Sequence, residues 1–193
     1  MPNPVEPSLS KRLKAHTHDT HENIDHLVMA KDFFKSVDRY RTFLKIQYCF
    51  HRDVDPLYGD GRLRTLLPDL AERRRLPLIV ADLADLGDTP PTYDADMSVI
   101  DADEATALGW LYVAEGSNMG AALLRREAAK LGLSDAFGAR HLAPAAIGPA
   151  PHWRAFATAL DAVPLDAAAL TRADAGAVAA FARVRSLVDA RLD

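Results

Sequence analysis

The sequence predicts an all-α protein, a single bundle of about eight helices. Two observations carry this. Apolar residues recur at three- and four-residue spacing almost throughout, as at Leu13, Thr17, Ile24 and Val28, which is the period of a helix face. Strand signals are weak, because period-two alternation is absent and β-branched residues rarely cluster. Capping and breaking residues then divide the chain. A first helix is predicted over 8–29, with Pro7 ahead of a serine cap. A second spans 36–56, a short one 61–67, and another begins after Pro68 and ends near Gly87. The proline-rich, polar stretch 87–98 is a loop. A long helix starts near Asp101 or Asp103, carboxylates that suit the positive end of its dipole, and continues to about Leu131. Residues 141–151 form another loop, and helices over 152–162 and 166–192 finish the chain.

No repeat and no linker divides the 193 residues, so one domain is expected over 1–193, with a flexible start at 1–7 where Pro2, Pro4 and Pro7 fall. A hydrophobic content of 49% is too high for a disordered chain. The net charge is −4 with both signs interspersed, which argues against nucleic acid as a partner. The longest apolar run, 105–114, is broken by Thr106 and Gly109 and stops at Glu115, too short to cross a bilayer. The first residues carry no apolar secretory segment, and a cytoplasmic location is expected. One cysteine, Cys49, permits no intrachain disulfide, as in a reducing compartment. Its apolar neighbours Phe43, Leu44, Ile46 and Phe50 favour a buried thiol over a metal ligand.

Four of the seven histidines crowd into the first helix: His16, His18, His21 and His26. On a wheel of 100° per residue, His21 falls on the inward stripe between Thr17 and Ile24 and is expected to be buried. Asp25, four residues on, can reach one of its nitrogens and leave the other facing the interior. That arrangement suits a metal ligand with its tautomer fixed, and equally a core histidine satisfied by its own helix. The pairs His18 with Glu22 and Glu22 with His26 offer a rival metal site between helices, without the paired Glu-x-x-His motifs that such bundles use.

The long helix holds "YVAEGSNMGAALL" (112–124), with Gly116 and Gly120 four apart. Each glycine inside a helix costs roughly 0.5–1 kcal/mol relative to alanine. Close packing of small residues against another helix is one reason to keep such a pair.

Read together, "LKAHTHDTHENIDHLV" (13–28) and "GWLYVAEGSNMGAALL" (109–124) resemble the bacterial haem oxygenases. The first matches a Leu-basic-x-x-Thr-x-x-x-His pattern with a carboxylate four residues later; the second matches a Gly-Ser-x-x-Gly distal helix. "QYCFHRDVDPLY", "LADLG", "FGARHLA" and "HWRAFATALD" follow the family order more loosely, so the likeness covers most of the chain.

The resemblance implies haem b, both cofactor and substrate, held between the first helix and a kinked distal helix. It is opened with dioxygen and external electrons to biliverdin, carbon monoxide and iron. His21 would be the axial iron ligand and Asp25 the acceptor for its other nitrogen. Gly116 and Gly120 would let the backbone lie close over the ring, a backbone N–H there reaching bound oxygen. Ser117, Asn118 and Met119 complete this motif and provide no carboxylate, unlike members that carry an Asp there. Gln47, His51 and Trp153, with Arg75, would order water for proton delivery. Gln47 and His51 share a helix face at i,i+4; ordinary polar and packing roles remain open for all of them. Lys14 would contact a propionate, Tyr112 would contact a propionate or wall the pocket, Thr17 would line the proximal side, and Phe181 would close the pocket; a solvated Lys14 and a core Phe181 are the plain alternatives. Relatives that cut at an unusual meso carbon hold propionates through a Lys in the slot of Asn118 and an Asn in the slot of Lys14. Their absence implies the α isomer. No dinucleotide fingerprint or cysteine cluster is present, so a separate ferredoxin or flavin reductase would supply electrons. The role would be iron acquisition or bilin supply, by a monomer or weak dimer. A haem-binding sensor on the same scaffold is the alternative.

Overall fold

The computed structural model describes residues 7–92 and 99–190; the expected flexible start and the second half of the 87–98 loop lie mostly outside them. Among the described residues there are seven α-helices, two 3-10 turns and no strand. The helices are α1 (Leu9–Ala30), α2 (Val37–Gly59), α3 (Gly61–Leu66), α4 (Leu76–Asp85), α5 (Glu104–Lys130), α6 (Pro149–Asp161) and α7 (Ala167–Asp189). The 3-10 turns are Leu70–Arg73 and Arg140–Leu142. Their buried apolar side chains form one core. Cys49 is free and buried in it.

Most starts follow from caps. Ser36 accepts from the Arg39 N–H, Asp60 from Arg62 and Leu63, Asp103 from Ala105 and Thr106, and Asp166 from Ala169. Ser8 precedes α1 but makes no capping bond. Ser10 instead donates its backbone N–H and its hydroxyl to Asp161, at 2.7 and 2.9 Å, which ties α1 to the end of α6. The helix expected from 68 to 87 is two pieces, because Arg74 is extended (ψ 123°) and Pro77 has no N–H to continue the ladder from the 3-10 turn. Helix α6 begins three residues earlier than expected, since Pro149 is well suited to a first helical position after Gly148 (φ 86°).

The closest helix crossing is α5 on α7. A Cβ on Gly109 would stand 2.1 Å from the Ala173 carbonyl oxygen, and one on Gly176 2.3 Å from that of Thr106. Backbone meets backbone there, so only glycine fits on either side. The two glycines of the 112–124 motif are different. A Cβ on Gly116 would meet only the Trp153 ring, at 3.8 Å, and one on Gly120 would meet nothing within 4 Å. Helix packing therefore does not explain them. Helix α5 runs through both without interruption.

Four carboxylates sit on otherwise apolar helix stripes and are met by donors from elsewhere in the fold. Asp53 accepts from Arg183 at 2.8 Å, Asp174 from Arg12, Glu115 from Tyr58 and Arg73, and Asp82 from His141 and Arg140. Unpaired, each would carry a large burial penalty.

The two glycine pairs predict opposite responses to alanine. Gly176→Ala should cost about 3 kcal/mol in urea unfolding through overpacking, whereas Gly120→Ala should gain about 0.5–1 kcal/mol. Equal stability of Gly176→Ala and the parent chain would contradict the crossing described.

Candidate active site

Two adjoining cavities are lined by residues of α5 that neighbour Gly116 and Gly120 in sequence, with Asn118 common to both. The larger, about 360 Å³ and partly open to solvent, is bounded by Phe43, Gln47 and His51 of α2, Ser117, Asn118, Ala121 and Leu124 of α5, Arg75, and His141 and Leu142 of the second 3-10 turn. The smaller, about 280 Å³, is lined by Arg73, Arg75, Glu115, Asn118, His152, Trp153 and the 144–149 segment. Arg75 and Asn118 border both. The Arg75 guanidinium is fixed by donating to the carbonyls of His141 and Ala143, at 2.6 and 3.0 Å.

Two imidazoles are buried at the larger cleft. His51 and His141 are each only 4% exposed. His51 Nδ1 and His141 Nε2 are buried with no hydrogen-bond partner. Burial first, then the neighbouring His141 and Arg75, lower the His51 pKa to about 3. The His141 value is lowered as well, by burial, against the opposing pull of Asp82. Both rings are therefore neutral.

Behind Gly116 lies a second polar group. Glu115 accepts from the Tyr58 hydroxyl at 2.8 Å and from Arg73 at 3.0 Å. Burial raises the Glu115 pKa, with Arg73 and the Tyr58 hydrogen bond opposing. Arg73 also donates to Asp69 and to the His152 carbonyl, and so binds α5 to α6. Tyr112 and Trp153 meet edge to face at 5.6 Å.

The remaining sequence-predicted residues are spread along α1, α5 and α7. His21 is 57% exposed, not buried as the helical wheel predicts. The stripe closes over Leu13, Thr17 and Ile24, but at His21 the ring contact is Phe181, at 5.6 Å. The expected bond to Asp25 is not made: His21 Nε2 stands 3.6 Å from a carboxylate that is itself 68% exposed. Thr17 is buried and spends its hydroxyl on the Leu13 carbonyl. Phe181 is buried and Lys14 exposed. Ser117 donates to the Ala114 carbonyl at 2.7 Å, and Met119 points to solvent. The structure thus gathers Gln47, His51, Arg75, Ser117 and Asn118 around one cleft and Trp153 beside it, while His21 lines neither cavity.

The heme oxygenase family model matches residues 7–190. The chain belongs to the haem oxygenase family. It is a haem-degrading oxidoreductase by that membership. It is 42% identical over 180 residues to heme oxygenase PigA of Pseudomonas aeruginosa, covering 93% of this chain and 91% of that one. Among solved structures, the NO- and CO-bound heme oxygenase of Neisseria meningitidis superposes with a TM-score of 0.91 at 39% identity, covering 97% of this chain and 98% of the other. Heme oxygenase 2 of Chlamydomonas reinhardtii shares the fold, with a TM-score of 0.79 at 19% identity over 97% of this chain and 99% of that one. No helix among the described residues is long and apolar enough to cross a membrane.

Sequence reasoning on this haem oxygenase missed His141, Asp82 and Glu115. The signal was present for two of them. Asp82 interrupts the stripe Ile79, Leu83, Leu86, and Glu115 follows Leu108 and Leu111 on the same face. A carboxylate on a buried stripe must find a partner.

The neutral histidines carry a pH dependence. Unfolded imidazole titrates near 6.5, folded His51 near 3. Between these values the unfolded chain binds a proton that the folded chain does not, so stability is full above 6.5 and lost as pH falls through the window. Urea midpoints should fall from pH 7 to pH 5, and less steeply in His51→Gln, by up to about 1.4 kcal/mol per pH unit. Identical slopes would refute a neutral, buried His51.

Proposed function

We propose that the chain opens haem to biliverdin, carbon monoxide and free iron, with haem seated between α1 and the glycine face of α5. The observation that carries this is Gly116 and Gly120, two helix-interior glycines that cost stability and serve no close packing. A bare helix face is what a flat macrocycle needs beside it. The donor set fits the same group: His21 presents an imidazole on α1, Asp25 stands near enough to accept from it after a small side-chain rotation, and Phe181 packs on its ring. Haem, when bound, supplies both the iron that holds dioxygen and the ring that is cut.

The protein's own part is to bind, orient and move protons. In this reading His21 would hold the haem iron, with Thr17 on the buried face of the same helix. Lys14, exposed on the same helix, and Tyr112 meet the propionates. Gly116 and Gly120 set how closely the backbone approaches, with Ser117, Asn118 and Met119 around them. Gln47, His51 and Arg75 hold water in the cleft, and Trp153 walls its neighbour. None of these groups is a free acid, so protons arrive through water. Electrons come from a separate ferredoxin or flavin reductase. Lys14 and Asn118 favour the α isomer. The product serves iron acquisition or bilin supply in the cytoplasm.

His21→Ala should abolish the spectrum of an axially ligated haem while leaving the fold intact; an unchanged spectrum would remove His21 from this role. Aerobic addition of ascorbate to the haem complex should replace haem bands by bilin absorbance. Persistent haem bands would instead indicate a haem-binding module without turnover. Chromatography of the product should give mainly the α isomer, and a dominant β or δ isomer would overturn the assignment drawn from Lys14 and Asn118.

A further inference from the structure

We propose that His141, held by Asp82, is a positioning residue of the cleft whose Nε2 accepts a hydrogen bond from the water that carries protons, a proposal that rests on the haem oxygenase reading. Three observations support it. The ring is buried, lines the same cleft as Gln47, His51 and Asn118, and its Nε2 has no partner in the protein. Its other nitrogen, Nδ1, lies 2.8 Å from Asp82 Oδ2. Asp82 is itself immobilised, accepting from the backbone N–H groups of Arg140 and His141, at 2.9 and 3.0 Å, and from the Arg140 guanidinium.

The tautomer follows from this geometry. Burial opposes ionisation of Asp82, but the hydrogen bonds from the His141 ring and from the two backbone N–H groups outweigh it and hold its pKa below the ordinary value. An ionised carboxylate only accepts, so the proton of the neutral ring must sit on Nδ1. Nε2 then offers a lone pair. The cationic Arg75, which grips the His141 carbonyl, disfavours a second proton on the ring. A buried lone pair beside a polar cleft is satisfied by water. A water that donates one O–H to Nε2 has its other O–H and its own lone pairs directed to the rest of the cleft, where His51 Nδ1 is the second unmatched nitrogen. Asp82 thus sets, through His141, the direction in which that water points.

Asp82→Asn tests this because it reverses the polarity without emptying the site. The Asn carbonyl can still accept from the Arg140 backbone N–H, while an NH₂ in place of Oδ2 gives up the His141 backbone N–H bond, faces Nδ1 and forces the ring proton to Nε2. In the haem-free protein, ¹⁵N NMR of the ring should show Nδ1–H in the parent chain and Nε2–H in Asp82→Asn. Haem affinity from absorbance titration should stay within about twofold, while the turnover rate falls roughly tenfold, the worth of one hydrogen bond. His141→Phe should show the same split, and His141→Gln, which keeps an acceptor oxygen, should recover most of the rate even if Asp82→Asn folds poorly. An Nε2–H ring in the parent chain, or normal turnover in His141→Phe, would overturn the proposal alone. A parent chain that binds haem but never degrades it would overturn the underlying reading and the proposal with it.

Discussion

The backbone contact between α5 and α7 at Gly109 and Gly176 is the constraint on which the rest of the molecule depends. Two helices can approach this closely only where neither carries a Cβ, and here each glycine lies against the other helix's main chain. The contact fixes the first half of α5 in the core. From Ala105 to Glu115 the helix is largely buried, and beyond Glu115 its only buried residue is Ala128. The second half therefore extends about 18 Å from that crossing, and Met119, Gly120 and Leu123 on it are exposed. A short helix would be lost without packing on that stretch; a long one, anchored over its first half and again at Ala128, can hold it as a rigid wall. Rigidity and exposure of the glycine face have the same origin.

The polar interior completes the wall. Glu115 is the last buried residue before Gly116, and both of its oxygens are committed, one to Tyr58 and one to Arg73. Through Arg73 and the His152 carbonyl this pairing also positions α6, whose Trp153 borders Gly116. On the far side, Asp82 and Arg75 hold the second 3-10 turn by its backbone, which places His141 at the cleft. Each of these bonds joins elements distant in sequence. They are worth little as net stability, since desolvation offsets much of the attraction, but breaking one leaves a buried charge unpaired. Their effect is to fix one register of the helices around the cleft.

Much of this was legible in the sequence. Caps at Ser36, Asp103 and Asp166 marked their helices because a side-chain acceptor beside free N–H groups is a local property. The group around Gln47, His51 and Asn118 was reachable through the family likeness. Two things were not legible. The burial of His21 was argued from its own helix, but burial depends on what lies opposite, and there His21 makes a ring contact with Phe181 yet stays exposed. The roles of the glycines were assigned by motif, whereas the pair that serves close packing, Gly109 and Gly176, is split between two helices and has no signature in either. The buried carboxylates stood in plain view on apolar stripes, yet their partners, Arg183 for Asp53 and His141 for Asp82, lie 130 and 59 residues away in sequence.

The same carboxylates bear on the proton path proposed above. Among the described residues lining the larger cleft there is no Asp or Glu. Those nearby are spent: Asp82 on His141 and two backbone N–H groups, Glu115 on Tyr58 and Arg73, Asp53 on Arg183. What lines the cleft instead is two amides, Gln47 and Asn118, the Ser117 hydroxyl, two neutral imidazoles and a guanidinium that is already donating to carbonyls. None of these is a strong acid near neutral pH, and an acid strong enough to protonate bound oxygen directly is the group a ring-opening oxygenase must keep away. Neutral donors and acceptors orient water without out-competing it for protons. The fold commits these carboxylates to holding the helices and leaves the larger cleft lined by groups other than carboxylates.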